Sequence, residues 1–364
     1  MRLGYGFTLI ELILALSLSL LVLSAAMLML ADAQRSFAAL AASKRAEENL
    51  HLSFALIGRA LLGAGNLGCA EPQRPLSKML RGDWSQLPEY NITRAVEGYD
   101  ALPRGGLAPN PAATLPLSGV GGDRQVQHAG HGIDLAQLLP EADLLVVRGV
   151  GPWAPLGALQ VGTAPIVVLG EALEFVVGDV VLVADCEQAT AFKITAIETL
   201  AGGLKLDWAA GPGAFDNVDG LSSSGLKSGR RGIAESPGSY GADAIVARIQ
   251  ALFFYLAPSR VINRQGTPVT ALWLKFGTAP GVELIAGIDD LQVWFLAATG
   301  AQPANSIGYF DAQHLPADAR VVGVRVSIRS TSVHGLSEFA NIPLTFRGAR
   351  TFMLPQFAQQ GWQL

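Results

Sequence analysis

Apolar and polar positions divide the chain into three textures. From Phe7 to Ala31 every residue is uncharged except Glu11, and a run of this length exceeds the roughly 20 apolar residues that a helix needs to cross a bilayer. Past Asp32 the pattern becomes amphipathic: Phe37, Leu40, Lys44, Glu47, Leu50, Phe54 and Leu61 recur near helical spacing, and no proline interrupts the stretch before Gly63-Ala64-Gly65-Asn66. The two textures predict one continuous helix about 55 residues and 80 Å long, apolar all round over 7–30 and one-sided over 31–65. Beyond residue 66 the period shortens. Short apolar runs alternate with glycine, proline and polar turns, which predicts strands at 144–148, 166–169, 180–184, 191–197, 204–208, 245–256, 272–276, 291–296 and 321–329. The last is the clearest, because Val322, Val324, Val326 and Ile328 alternate with Gly323, Arg325, Ser327 and Arg329 to give a buried and a wet face. Stretches 101–134 and 211–243 are rich in Gly, Pro and Ser and read as long surface loops. The fold class predicted is α+β: a long N-terminal helix carrying a mainly antiparallel β head over 66–364.

Composition changes this picture little. The net charge of −4 leaves no general basic field for nucleic acid. Local basic groups remain, at Lys227, Arg230 and Arg231 and at Arg347 and Arg350, and they read as exposed loop charge or as contacts to DNA or a neighbouring subunit. His128 and His131 form His-x-x-His in a Gly-rich stretch, with no helix to present them and no carboxylate partner, so a solvated loop is the reading. Asp216, Asn217 and Asp219 before Gly220 resemble a calcium loop without its closing glutamate, and read as a turn. Serines such as Ser222 to Ser224 never occur as Gly-x-Ser-x-Gly, and no metalloprotease or phosphate-loop motif is present. The expectation is a structural protein, not an enzyme, with no cofactor and no metal. Cys69 and Cys186 are the only cysteines, which suits either one disulfide or two buried thiols.

Three readings compete for the N-terminus. A secretory signal would use Arg2, the apolar stretch from Leu12 to Leu23, and Ser24 with Ala26 before a cut; a plain uncleaved anchor would make Glu11 incidental. The run Gly6-Phe7-Thr8-Leu9-Ile10-Glu11-Leu12 instead resembles the processing site of type IV prepilins, with a short leader ending in glycine and an acid as the fifth residue of the mature chain. A carboxylate inside an apolar span costs a few kcal/mol, so it has a partner and a purpose. The resemblance implies a leader 1–6, cleavage by prepilin peptidase between Gly6 and Phe7, N-methylation of Phe7, and pairing of Glu11 with the amine of a neighbouring subunit. It also implies an inner-membrane protein with a periplasmic head that later enters the extracellular pilus.

The stretches Val177 to Cys186, Ala191 to Thr195, Gly287 to Val293 and Val324 to Ile328 are similar to strands of PilW-type minor pilins. Many major pilins of this family carry a proline well inside the membrane half, and this chain has none from Phe7 to Leu62, which points away from the bulk subunit. The resemblance therefore implies a minor pilin that primes assembly at or near the pilus tip, with other minor pilins, the major pilin and a large tip adhesin as partners and nucleic acid not expected among them. A minor pseudopilin of type II secretion, or a tip-located adhesive or DNA-binding module, are the alternatives. In a periplasmic head, Cys69 and Cys186 would form a disulfide joining the end of the helix to the strand region.

Overall fold

In the computed structural model the described residues are all except 1–7, 69–76, 79, 82–86, 88, 93, 103–105, 110–138, 140, 158–165, 171–174, 187–188, 214–215, 219–239, 241–242, 264–265, 300–305, 317–318, 334–343 and 356–364. A single helix, α1 (Leu9–Leu62), is followed by β1 (Ser77–Lys78), β2 (Val96–Leu102), β3 (Gly106–Pro109), β4 (Leu144–Pro155), β5 (Ile166–Leu169) and β6 (Val180–Ala184). The chain continues through β7 (Ala189–Lys193), β8 (Ala196–Leu200), β9 (Gly203–Asp207), β10 (Ile245–Ile262) and β11 (Pro268–Phe276). It ends in β12 (Val282–Ala286), β13 (Ile288–Thr299), β14 (Ser306–Phe310), β15 (Arg320–Thr331) and β16 (Thr345–Met353). The architecture is thus one long apolar helix followed by a mostly antiparallel β domain, the short β1–β7 pair being parallel.

The helix has two physical halves. From Leu9 to Leu30 its large apolar side chains are all more than half exposed, while Ser17, Ser19 and Ser24 turn their hydroxyls back onto the carbonyls of Leu14, Ala15 and Leu21. A surface so apolar, with its polar groups satisfied internally, is long enough to cross a membrane. The second half buries Ala46, Leu50, Ser53, Phe54, Ile57, Gly58 and Leu61, a stripe at three- and four-residue spacing. The docked stripe starts later along the helix than the predicted one, which runs from Phe37. Phe37 and Leu40 are 72% and 65% exposed, and Lys44 and Glu47 are exposed as well, so the docked face begins only at Ala46.

The described strands form three sheets, and the two larger ones receive this stripe. Nine strands form the largest, ordered β1-β7-β6-β10-β4-β2-β3 with β11 and β12 attached beyond β10. The long β10 carries β4 along one edge and, on the other, first β6 and then β11. A four-stranded sheet runs β14-β13-β15-β16, and a small sheet runs β5-β9-β8. One core cluster gathers Leu50, Phe54, Ile57 and Leu61 of the helix with Val147, Leu272, Ile285, Phe295, Val324 and Val326, so helix and both larger sheets share it. A second cluster, around Val183, Phe192, Leu206 and Trp208, lies under the small sheet.

Several strands differ from the sequence reading. The run 191–197 is broken because Ile194 N donates to Asp179 O and Thr195 N to Asp207 O, which sends the chain from the large sheet into the small one. β3 lies inside the stretch read as a loop over 101–134. β1, β2, β12, β14 and β16 have no counterpart among the predicted strands, and Ser327, predicted on a wet face, is 8% exposed.

Candidate functional site at the N-terminal helix

The helix begins with a reciprocal cap. Thr8 is extended (φ −80°, ψ 150°) and its hydroxyl accepts from Glu11 N, at 3.4 Å. In return Glu11 Oε2 accepts from Thr8 N at 3.0 Å and from the Thr8 hydroxyl at 3.0 Å. This capping box satisfies two otherwise orphaned donors at the helix start and sets the one carboxylate of the apolar half against the helix N-terminus. The spacing Thr-x-x-Glu is the sequence signal for this cap, and it adds Thr8 to the predicted Glu11. Gly6 and Phe7 lie outside the described residues.

At the other end the helix is fixed to the head by named contacts. Asn49 Nδ2 donates to Ala286 O at 3.0 Å, and the Arg350 guanidinium lies 5.1 Å from the Phe54 ring and 3.1 Å from His51 Nδ1. Two glycines permit the approach: a Cβ at Gly58 would meet Phe352 at 2.6 Å, and one at Gly348 would meet Phe54 at 3.1 Å. Past the C-cap at Gly63, Gly65 N donates to Arg148 O and Val150 N to Asn66 O, which ties the chain leaving the helix onto β4.

The other candidates resolve as structure where they are described. Arg347 pairs with Asp290 at 2.7 Å and Arg350 faces the helix, so neither is a loose loop charge. Asp216 accepts from Lys193 Nζ at 3.0 Å and from Gly213 N at 2.8 Å. Asn217, fully buried, bonds the main chain of Lys193 in both directions, and these two residues hold a turn. Asp219, Gly220, His128, His131, Ser222 to Ser224, Lys227, Arg230 and Arg231 lie outside the described residues, and among the described ones no group of three or more His, Cys, Asp or Glu forms a metal cluster. Cys186 is disulfide-bonded. The sequence holds one other cysteine, Cys69, which lies outside the described residues.

Buried charge serves to join strands. Arg148 and Glu97 meet at 2.6 Å with no exposed side-chain surface on either, and the guanidinium also donates to Arg94 O. Asp143, on the approach to β4, accepts from Ala101 N at 2.9 Å and Val293 N at 2.8 Å, linking β2 of the large sheet to β13 of the four-stranded one. Burial pushes its carboxyl up to about 7 in spite of those two backbone donors. Among the described residues, grooves of about 550 and 610 Å³ flank the helix. Their polar lining is Arg59, Arg148 and Gln250 in one, and Arg45, Asn49, Thr331 and Ser332 in the other.

Fold and site together define a class: an α+β chain whose long N-terminal helix, capped through the one acid of its apolar half, carries a β-rich head. No protein family, curated protein or solved structure matches the chain.

Proposed function

We propose that the chain is a PilW-like minor pilin of the type IV pilus, which primes filament assembly and sits at or near the tip. On this reading it enters the inner membrane with its head in the periplasm, prepilin peptidase cuts between Gly6 and Phe7, and the Phe7 amine is methylated. The observation that carries the proposal is α1 itself. An uninterrupted helix of 54 residues starts at the Thr8–Glu11 cap, exposes an apolar surface for its first half and docks one stripe of its second half on a β head. A secretory signal removed after Ala26 would discard the cap and the apolar surface, and a plain anchor would use Glu11 only to cap its own helix. In a filament the Glu11 carboxylate exchanges the Thr8 donors for the amine of a neighbouring subunit. The charge is thereby neutralised within an apolar bundle, and the axial register of the two helices is set. Other minor pilins, the major pilin and a large tip adhesin are the partners this reading entails.

Substituting Glu11→Val tests it. The variant is expected to be cleaved and to remain in the inner membrane while disappearing from sheared surface filaments, with filament number reduced. Filaments of normal number that contain the variant overturn the proposal.

A further inference from the structure

β16 is a nine-residue strand bonded on one side only: it closes the four-stranded sheet, and β15 is its one partner among the described strands. Its phase follows from the two ends of the ladder. Leu354 N donates to Val322 O and Ser332 N to Leu344 O, both in register with the pairs between them. The even-numbered residues of β16 therefore turn their backbone groups to β15, and Thr345, Arg347, Ala349, Thr351 and Met353 turn theirs to the open edge. All five are exposed. Folds guard such edges with prolines, bulges, very short strands or charged side chains, and of these devices β16 carries only the charge of Arg347 and Arg350. β16 has no proline and no register shift over its nine pairs, whereas β10, β11 and β13 all carry shifts.

The chemistry beside the edge selects the occupant. β16 contains two arginines and no acid. On its outward face Arg347 stands opposite Arg329. Asp290 pairs with Arg347, and Asp289 with Arg329. Arg325, directly across from Thr351, has no carboxylate partner among the described residues; its guanidinium lies 5.5 Å from the Tyr309 ring. Of the three arginines on this face, Arg347 and Arg329 are thus paired and Arg325 is not paired with a described carboxylate, beside a row of backbone donors and acceptors that no described strand takes.

We propose that the open edge of β16 is a docking site for an extended, acidic segment of another polypeptide. The segment adds a strand antiparallel or parallel to 345–353 and places carboxylates at alternate positions against Arg347 and Arg325. The inference goes beyond the pilin reading and stands without it, since it uses nothing from the N-terminal helix.

The probe is the peptide acetyl-Thr-Glu-Val-Glu-Val-Glu-Val-Glu-Thr-amide, added to the full chain in detergent and followed by amide hydrogen exchange and by binding. Protection is expected at residues 347, 349 and 351. A version with lysine for glutamate is expected to bind at least tenfold more weakly, and one with N-methylated alternate amides not at all. Ala349→Pro removes an N–H that β15 does not use, a substitution edge strands tolerate, and should weaken the acidic peptide at least tenfold. Arg325→Glu, which leaves the backbone edge open, should weaken the acidic peptide and favour the lysine version. Absence of binding, protection outside 345–353, or equal binding by Ala349→Pro and Arg325→Glu overturns the proposal.

Discussion

Gly58 shows how a single atom decides the helix–head junction. A Cβ there meets the Phe352 ring at 2.6 Å, so Gly58→Val forces helix and β16 apart. It should cost about 1–3 kcal/mol, read as a lowered midpoint in thermal unfolding of the full chain. Phe54, 2% exposed and covered by Arg350, should cost about 3–5 kcal/mol on replacement by alanine. Phe37→Ala and Leu40→Ala, both on exposed positions, should stay within about 0.5 kcal/mol in the same measurement. At this scale size was a guide only in the docked part of the helix, since Phe37 and Leu40 are as large and stand exposed. Leu50, Phe54 and Leu61 were readable as core, whereas Ala46, Ser53 and Gly58 were not, because they are buried for being small. Glycine against phenylalanine across an interface leaves no hydrophobic pattern to read.

Strands were legible in proportion to how cleanly their two faces differ. β15 alternates Val322, Val324, Val326 and Ile328 with smaller or charged residues, and its range extends the predicted one by only a few residues. β16 sits beside it with the sequence Thr-Phe-Arg-Gly-Ala-Arg-Thr-Phe-Met. Its inward positions hold Gly348 and Arg350 because the helix leaves room for little at Gly348 and offers Phe54 and His51 to the guanidinium. β2 hides for a related reason: Glu97 points into the interior to meet Arg148, and Gly98 lies against Phe295. The contact between sheets carries a pH dependence. Asp143 holds its proton up to about 7 when folded, against about 4 when unfolded. Between those values the folded state binds the extra proton, so this group's contribution falls as pH rises from about 4 to 7. Unfolding midpoints of the wild type should be higher at pH 5.5 than at pH 8, and Asp143→Asn should flatten that difference. A wild type that gains stability from pH 5.5 to pH 8 while Asp143→Asn behaves identically contradicts the assignment.

For the whole molecule, the sequence made the architecture readable because hydropathy acts over long runs: an apolar stretch, an amphipathic stretch and a period-two remainder map onto the two halves of α1 and the β head. It did not disclose how nine, four and three strands sort into sheets, since partner choice depends on long-range register. Nor did it disclose that a buried ion pair, Arg148 with Glu97, joins β2 to β4 alongside the apolar contacts. The disulfide at Cys186 acts at this scale too. Cys186→Ser should lower stability of the head by about 2–5 kcal/mol, measured as the fall in thermal midpoint between oxidised wild type and variant.

The central claim concerns the first residue of the mature protein. Mass spectrometry of the N-terminal peptide from cell envelopes and surface filaments measures it directly. The account predicts a peptide that begins at Phe7 and carries one methyl group on its amine. A mature chain that begins at Met27, or one that keeps Met1 through Gly6, contradicts it.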